Sequence, residues 1–537
     1  MRIPCFAVTT RIVTCLLISL LSWLPLTAAA QEQDGQALLG ALDTRSFNDK
    51  AAAIDVIIES EHERADAWLQ ALLDSDLQRL KDDGRFVIAV ESAGLDVTIE
   101  DALTGEALGE VTRRDLDRLT INNALRSQLR SAISLVELYA GDRDARLDAA
   151  EGLIGDVEES QVEPLTNRLD EEPSRAVRER LNQALAVYHL NEGDVEAIEV
   201  LGGSLNSNVR IALTRASESD DPVVADAATA ALADIEQNLK INRAAETLYF
   251  GLSMGSVLVL AAIGLAITFG VMGVINMAHG ELIMLGAYTT WGMQQVLPGQ
   301  PGLALILSIP AGFMVAALAG VAIERGVIQF LKGRPLETLL ATFGISLILQ
   351  QLVRTVISPQ NRTVVTPEWL SGSLVINDAL SLTLNRIGVL GFCLVVVAAL
   401  MLIMRRTRLG LEVRAVTQNR AMARSMGIRA TRVDIMTFAL GSGVAGLAGV
   451  ALSQLTNVGP NLGQSYIIDS FMVVVFGGVG NLWGTLVAGM SLGVINQVLE
   501  PWAGAVLAKI IVLVFIILFI QKRPRGLFPQ KGRAAEG

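Results

Sequence analysis

The second half of this chain contains a series of long apolar runs, and no other feature limits the possible fold as strongly. From Leu248 onward these runs recur with lengths near the roughly 20 residues that an α-helix needs to cross a bilayer. Unpaired backbone groups are costly in lipid, so only helices and closed barrels span a membrane. The sequence therefore predicts a polytopic α-helical membrane protein. We place about nine spans, some broken or re-entrant, near residues 248–270, 282–297, 303–325, 336–357, 387–405, 434–456, 467–480, 485–499 and 506–521.

Charge divides the chain into two unlike halves. Residues 31–240 contain 44 Asp or Glu and 20 Lys or Arg, whereas residues 241–537 contain 11 and 21. An acidic, polar domain is therefore expected over residues 31–240. A transmembrane permease domain is expected over residues 241–530, and a short cytoplasmic tail over residues 531–537.

The first thirty residues have the form of a secretory signal peptide. Arg2 and Arg11 are their only charges, an apolar core follows over residues 12–26, and small residues lead up to Ala30. We expect cleavage after Ala30, with a retained membrane anchor as the alternative. In both cases the acidic domain is exported.

The acidic domain is predicted to be mainly α-helical. Apolar residues recur at helical spacing on both sides of residues 84–109, while this central stretch alternates apolar and polar residues and predicts a β excursion of two or three strands. Arg146, Arg178 and Arg210 recur at intervals of 32 residues. That spacing favours a HEAT-like solenoid with a docking surface, and a plain helical bundle is the alternative.

Basic residues set the predicted orientation of the membrane domain. Eight arginines lie between Arg405 and Arg432, and smaller basic clusters lie within residues 325–334 and 522–525. Because positively charged loops stay on the cytoplasmic side, we expect these segments inside and the acidic domain outside.

Three polar residues, Asn276, His279 and Glu281, interrupt an apolar run between the first two predicted spans. We expect them where a span from outside reaches the inner face and turns back. A carboxylate there is costly against lipid and must find a partner or water. Two interpretations remain open: these residues cap a helix break, or they take part in gating or substrate passage.

Few other polar residues lie in the predicted spans, and none forms the repeated acid–base chain expected of a proton-coupled carrier. A charged passenger would need a counter-charge in the membrane, so a small neutral or zwitterionic passenger is expected. With three cysteines and three histidines in all, we expect neither a zinc site nor another cofactor. The further pathway candidates are Gln350, Asn461, Asp469, Asn481 and Asn496.

The loop between the fifth and sixth predicted spans is basic and amphipathic. It carries apolar residues at helix-like spacing over about one short helix, with Gly410 and Gly427 at its ends. Such a helix fits a groove on a soluble partner. An ordinary positive-inside loop is the alternative; it would explain the arginines but not the spacing.

Six motifs follow one another in the membrane half: INMAHGELIMLGAY, ERGVIQFLKGRPLETLLATFGISLILQ, GLEVRAVTQNRAMARSMGI, FALGSGVAGLAGVALS, VVVFGGVGNLWGTLVAG and KRPRGLF. In this order they resemble the permease subunits of branched-chain-amino-acid-type ABC importers, and most closely their urea-transport branch. The resemblance covers residues 248–530. The wider family usually lacks an exported N-terminal extension, so the role of that domain does not follow from the resemblance.

The resemblance implies a transporter subunit of the bacterial inner membrane that is not itself an enzyme. Its implied partners are the lipid bilayer, a second related permease, two cytoplasmic ABC ATPases and a periplasmic substrate-binding protein, with no nucleic acid. ATP hydrolysis would then occur in the ATPases, and this chain contains no Gly-Lys dipeptide and hence no P-loop. The implied ATPase-coupling residues are Gly410, Glu412, Arg414, Ala415, Asn419, Ala421, Met422 and Gly427.

Urea is the expected substrate on this resemblance. Branched-chain amino acids or short amides are the alternative within the same class of importer. A passive urea or amide channel is a more remote alternative, because it would need neither a basic coupling loop nor ATPase partners.

Overall fold

The computed structural model describes residues 35–44, 46–60, 62, 64–93, 96–140 and 142–528. The predicted signal peptide and the predicted tail at residues 531–537 lie outside these described residues. The chain divides between Asn238 and Leu239 into two compact units, an N-terminal unit and a membrane unit.

The N-terminal unit begins with a helix over residues 35–41 and continues with helices and short strands. These elements are α1 (Phe47–Glu59), α2 (Ala65–Asp74), β1 (Leu77–Leu80), β2 (Phe86–Ala93), β3 (Asp96–Asp101), β4 (Ala107–Thr112), β5 (Leu116–Arg118), α3 (Asn123–Ala140), α4 (Arg143–Gly152), α5 (Glu159–Glu171), α6 (Arg175–Asn191), α7 (Ala197–Leu201) and α8 (Ser207–Ser217).

The five strands form one antiparallel sheet in the order β4-β3-β2-β1-β5. Strands β2, β3 and β4 lie in or next to the predicted stretch, so the β excursion is confirmed but larger than expected. Strands β1 and β5 have four and three residues, which is too short to show an alternating pattern. Helices α1, α2 and α3 share a core with one end of the sheet, where the buried Trp68 donates from Nε1 to the carbonyl of Ala102 at 2.6 Å.

Helices α4 and α5 are joined by an ion-pair network around the buried Glu172, whose Oε1 also accepts from the N–H of Ser174, the residue before α6, at 3.0 Å. Arg146 donates to both carboxylate oxygens at 3.1 and 3.2 Å, and Arg168 donates to Oε2 at 2.6 Å. Arg178 and Arg210, the other arginines of the 32-residue spacing, are exposed. The three positions are therefore not equivalent, and the HEAT-like solenoid stays a prediction.

The membrane unit is almost entirely helical, with one short β-hairpin. Its helices are α9 (Pro222–Met272, which begins before the boundary between the units), α10 (His279–Val296), α11 (Pro301–Gly326), α12 (Pro335–Val356), α13 (Leu384–Arg406), α14 (Arg408–Gln418), α15 (Arg420–Ser425), α16 (Ala430–Ser453), α17 (Leu462–Gly477) and α18 (Leu482–Lys522), and its strands are β6 (Ser373–Asn377) and β7 (Leu380–Thr383).

Six helices of the described chain, α9, α11, α12, α13, α16 and α18, are long and apolar enough to cross a membrane. Helix α10 has 18 residues and the apolar α17 has 16, and neither is among the six. In α18 the non-helical Gly504 (φ 76°, ψ 159°) separates two helical segments. All nine predicted runs thus coincide with helices or helical segments, while the number of spans stays a prediction.

Helix α10 lies at the centre of the membrane unit, where α11, α16 and α17 pack against it. Glycines allow these close contacts. A Cβ atom on Gly286 would lie 2.0 Å from the carbonyl oxygen of Gly446, and one on Gly280 would lie 2.4 Å from that of Gly463. Small residues bring helix backbones together in this way, and they hold the start of α10 in the interior.

Candidate functional site

The chain is unwound between α9 and α10, and this break brings polar groups deep into the membrane unit. Residues 273–278 are not helical, and Gly273 begins them at φ 66°. His279, the first residue of α10, donates from Nε2 to the carbonyl of Ala261 at 2.9 Å. Ala261 is about 16 Å from the end of α9 at the usual helical rise. The chain therefore folds back along α9 after this helix ends, and the predicted position of the turn at the inner face stays a prediction.

Side chains satisfy part of the backbone of this break. The N–H of Ala278 donates to Oδ1 of Asn276 at 3.0 Å, and the N–H of Met277 donates to Oγ1 of Thr342 at 3.1 Å. Unwound backbone at membrane depth is tolerated only when protein or a water-filled cavity satisfies it. Asn276 therefore satisfies one backbone N–H of the break. Its own Nδ2 is buried without a hydrogen-bond partner in the described part of the chain.

Glu281 lies in the first turn of α10, and only one of its two carboxylate oxygens has a hydrogen-bond partner among the described residues. Its side chain is buried, and Oε1 accepts hydrogen bonds from Oγ of Ser346 at 2.9 Å and from Nε2 of Gln350 at 2.7 Å. Its second oxygen, Oε2, is buried and has no partner among the described residues. A carboxylate with an open acceptor in the interior is costly, so this position is a candidate for ligand or water binding.

Both partners of Glu281 belong to a row of polar residues on α12, which we call the polar stripe. Its members recur every four residues, so they share one face of the helix. The first four are buried, while much of the remaining α12 surface is exposed. Sequence reasoning selected only Gln350 from this row, although the four-residue spacing was readable as a signal. The polar stripe consists of Thr338, Thr342, Ser346, Gln350 and Arg354.

Arg354, the last residue of the polar stripe, donates from Nη2 to Oδ1 of Asn461 at 2.7 Å. Asn461 is another of the predicted pathway residues. The other candidates have partners elsewhere. Asp469 accepts from Nζ of Lys509 at 2.9 Å, and Asn481 accepts from two backbone N–H groups and caps α18. Asn496 has a buried Oδ1 without a partner in the described chain. None of these three contacts the polar stripe by a hydrogen bond that the structure shows.

The predicted coupling segment, residues 410–427, lies on two short helices, α14 and α15, instead of one. The break falls at Asn419, which is extended (φ −150°, ψ 101°) and caps α15 by accepting from the N–H of Met422 at 2.9 Å. Gly427 ends α15 with φ 87°. Gly410 lies within the first turn of α14 and not at its end; a Cβ there would be 2.0 Å from the carbonyl oxygen of Met404.

The coupling segment has an inward and an outward face. Val413, Val416 and Ala423 are buried in a small core that Ala415 also contacts. Arg414 donates from Nη1 to the carbonyl of Met404 at 2.7 Å, and Glu412 is half-buried. The exposed residues include the apolar Leu411, Ala421, Met422 and Met426, which lie among exposed polar residues such as Arg414, Gln418 and Arg424. The predicted apolar spacing therefore serves two purposes, with Ala415 packed inward and Ala421 and Met422 available to a partner.

Apolar helices long enough to cross a bilayer, a largely buried break between α9 and α10 and a buried polar stripe together define a polytopic, integral membrane protein. Residues 247–520 match the family described as branched-chain amino acid transport system / permease component. Because that match covers half of the chain, the protein belongs to this permease family.

Curated relatives agree with the family match. The chain is 28% identical to the high-affinity branched-chain amino acid transport system permease protein LivH of Salmonella typhimurium, over 52% of this chain and 94% of the relative. The corresponding BraD of Pseudomonas aeruginosa is 28% identical, over 52% and 93%. The ribose import permease protein RbsC of Escherichia coli is 27% identical, over 40% and 66%. No solved structure matches the chain.

Proposed function

We propose that this protein is the permease subunit of an ATP-driven importer in the bacterial inner membrane. Family membership and the exposed apolar residues of the coupling segment support this proposal. Two cytoplasmic ATPases would bind the coupling segment, and a second related permease would complete the membrane path. A periplasmic binding protein would deliver the substrate, and the exported N-terminal unit would offer a docking surface on that side.

The substrate path is proposed to pass the N terminus of α10. One observation supports this path most strongly. Two buried polar atoms near the N terminus of α10, Oε2 of Glu281 and Nδ2 of Asn276, have no hydrogen-bond partner among the described residues. The first can accept hydrogen bonds and the second can donate them. Transporters commonly bind substrate where a discontinuous helix begins at membrane depth, because free N–H groups point into the cavity. From there the path would follow the polar stripe.

Urea fits these groups well. It is neutral, donates through its N–H groups and accepts through its carbonyl oxygen, so it can satisfy both unpartnered atoms without bringing a charge into the membrane. A transported amino acid needs a cation for its carboxylate. Arg354 favours this second candidate, since it lies on the polar stripe, and the relatives are named for branched-chain amino acids. Short amides would share the chemistry of urea.

Transport would follow alternating access. Nine spans would place the acidic unit outside and the coupling segment inside, as the positive-inside rule requires. Movement of the ATPases would shift the membrane helices between outward-open and inward-open states. ATP-bound ATPases would stabilise the outward-open state, and ATP hydrolysis would return the permease to the inward-open state. A passive channel would instead carry urea without ATPases.

Substitution on α12 tests the proposed path. Ser346→Ala and Gln350→Leu each remove a hydrogen bond to a buried carboxylate, a loss of about 1.5–3 kcal/mol, so we expect a tenfold or greater fall in uptake per molecule. Gln351→Leu is the matched control, because Gln351 is exposed and lies one residue further along. Uptake should be measured in cells that also express the ATPases and binding protein, with the amount of permease in the membrane quantified.

The two interpretations of the break give different results. A capping role alone predicts less permease in the membrane but normal uptake by each remaining molecule, and that result would refute the path. Uptake that persists when the ATPases are absent would refute the importer and support a channel.

A further inference from the structure

Two buried acids at adjacent helix ends accept from the same lysine. Nζ of Lys332 lies 2.9 Å from Oε1 of Glu324 and 2.9 Å from Oδ2 of Asp434, and neither carboxylate side chain is exposed. Arg420 also donates from Nη2 to Oδ2 of Asp434. Two acids and two bases give a neutral group, which we call the charge cluster. Sequence reasoning used its basic members only for orientation.

The charge cluster joins the coupling segment to two membrane helices. Glu324 lies two residues before the end of α11, and Asp434 lies in the second turn of α16. Arg420 is the first residue of α15, so it belongs to the coupling segment. A displacement of the coupling segment must therefore either carry these helices with it or separate buried opposite charges. Separation is opposed, because the two buried carboxylates would lose their partners in a poorly solvating environment.

Helices α11 and α16 connect the charge cluster to the candidate site. They are packed too closely to slide apart freely, since a Cβ on Gly446 of α16 would lie 2.4 Å from the carbonyl oxygen of Gly312 of α11. On another face, the same Gly446 touches Gly286 of α10, the helix that carries Glu281. Packed elements of low compressibility transmit displacement, so a continuous route of contacts runs from Arg420 to the start of α10.

The carboxylates of the charge cluster are not saturated. Oε2 of Glu324 and Oδ1 of Asp434 are buried, and neither has a hydrogen-bond partner among the residues that the structure describes. Each carboxylate therefore has one oxygen that can still accept a hydrogen bond. Lys332 and Arg420 can move between oxygens of the same pair of acids without leaving the charge cluster, so it can persist through a change of helix position.

We propose that the charge cluster transmits movement of the coupling segment to α11 and α16, and that Lys332, Arg420 and Asp434 are positioning residues for transport. This inference rests on the proposed function, because it assumes ATPases that move the coupling segment. The charge cluster is not needed for the ATPases to bind the coupling segment. When it is lost, the ATPases stay bound and hydrolyse ATP, but hydrolysis no longer drives substrate movement.

The test measures substrate imported per ATP hydrolysed by the full complex in proteoliposomes, with labelled urea and labelled leucine supplied in parallel. Lys332→Gln is compared with Arg334→Gln, two residues away in the same loop, whose ion pair with Glu337 is exposed. We expect Lys332→Gln to lower the import-to-hydrolysis ratio at least tenfold and Arg334→Gln to change it less than twofold.

A charge-conserving substitution provides the second comparison. Arg420→Gln should lower the ratio as Lys332→Gln does, whereas Arg420→Lys keeps a cation next to Asp434 and should retain at least a third of it. A merely structural role would lower complex yield without changing the ratio. A normal ratio in both Lys332→Gln and Arg420→Gln would overturn the proposal, as would loss of the ATPases from the Arg420→Gln complex. A wild-type complex without ATP-dependent import would refute the proposed function instead.

Discussion

Because α10 and α16 are in close contact, we expect a single methyl group added between them to destabilise the protein. Gly286→Ala places a Cβ atom 2.0 Å from the carbonyl oxygen of Gly446. Ordinary van der Waals contact begins at 3.4 Å, so the two helices must separate locally by about 1.4 Å. The obstructing atom is backbone, which cannot rotate away as a long side chain would.

The expected magnitude follows from two opposing effects. Overpacking in a well-packed interior typically costs about 1–3 kcal/mol. Replacing a helical glycine by alanine stabilises the folded state by up to about 1 kcal/mol, because the unfolded chain loses backbone freedom. The net effect is a loss of about 1–2 kcal/mol, and because α10 carries Glu281, substrate uptake should fall as well.

Gly292 provides the matched control on the same helix. A Cβ there has no neighbouring atom within 4 Å, so Gly292→Ala should leave stability unchanged or raise it by up to about 1 kcal/mol. Thermal unfolding of the detergent-solubilised chain, followed by the loss of monodisperse protein, compares both variants with wild type. Equal stability of Gly286→Ala and Gly292→Ala would refute the close packing of α10 on α16.

Two further variants test other parts of the fold. Burial raises the pKa of Glu172, but the N–H of Ser174 and the Arg146 and Arg168 guanidiniums outweigh this effect and hold the pKa below its ordinary 4.5. The ionised carboxylate therefore stabilises the fold above pH 4.5, and this stabilisation is lost as the pH falls through the lowered pKa. Glu172→Gln should lower the local free energy of unfolding by about 3 kcal/mol at pH 7 and make it less sensitive to acid. Hydrogen exchange of α4–α6 in the full chain measures both effects. Asn481→Ala should cost about 1 kcal/mol by removing the cap of α18, measured by exchange at its first turn, whereas Asn481→Asp keeps the acceptor and should cost less.

Local sequence pattern was sufficient for the helices and for part of the site. The apolar runs have the composition and length that lipid demands, so their positions were predictable without tertiary information. Asn276, His279 and Glu281 were recognisable because polar groups inside an apolar run need a partner. The continuation of α9 from Pro222 past residue 240 was missed, because the change in charge there suggested a boundary.

The remaining features depend on residues that are distant in sequence. Lys332 and Asp434 are 102 residues apart, and a single sequence does not show that they pair. The fold-back of α9 and α10 likewise depends on the contact between His279 and Ala261, which no local pattern specifies. The separation of the coupling segment at Asn419 follows from a side-chain cap that competes with helix continuation.

Uptake of labelled urea at micromolar concentration, by cells with and without this gene, tests the central claim most directly. Labelled leucine is measured in parallel, and each strain is also examined with its ATPases deleted. The account predicts that loss of the gene or of the ATPases abolishes urea uptake and leaves leucine uptake unchanged. Loss of leucine uptake alone would contradict the urea assignment, and urea uptake that survives deletion of the ATPases would contradict the importer itself.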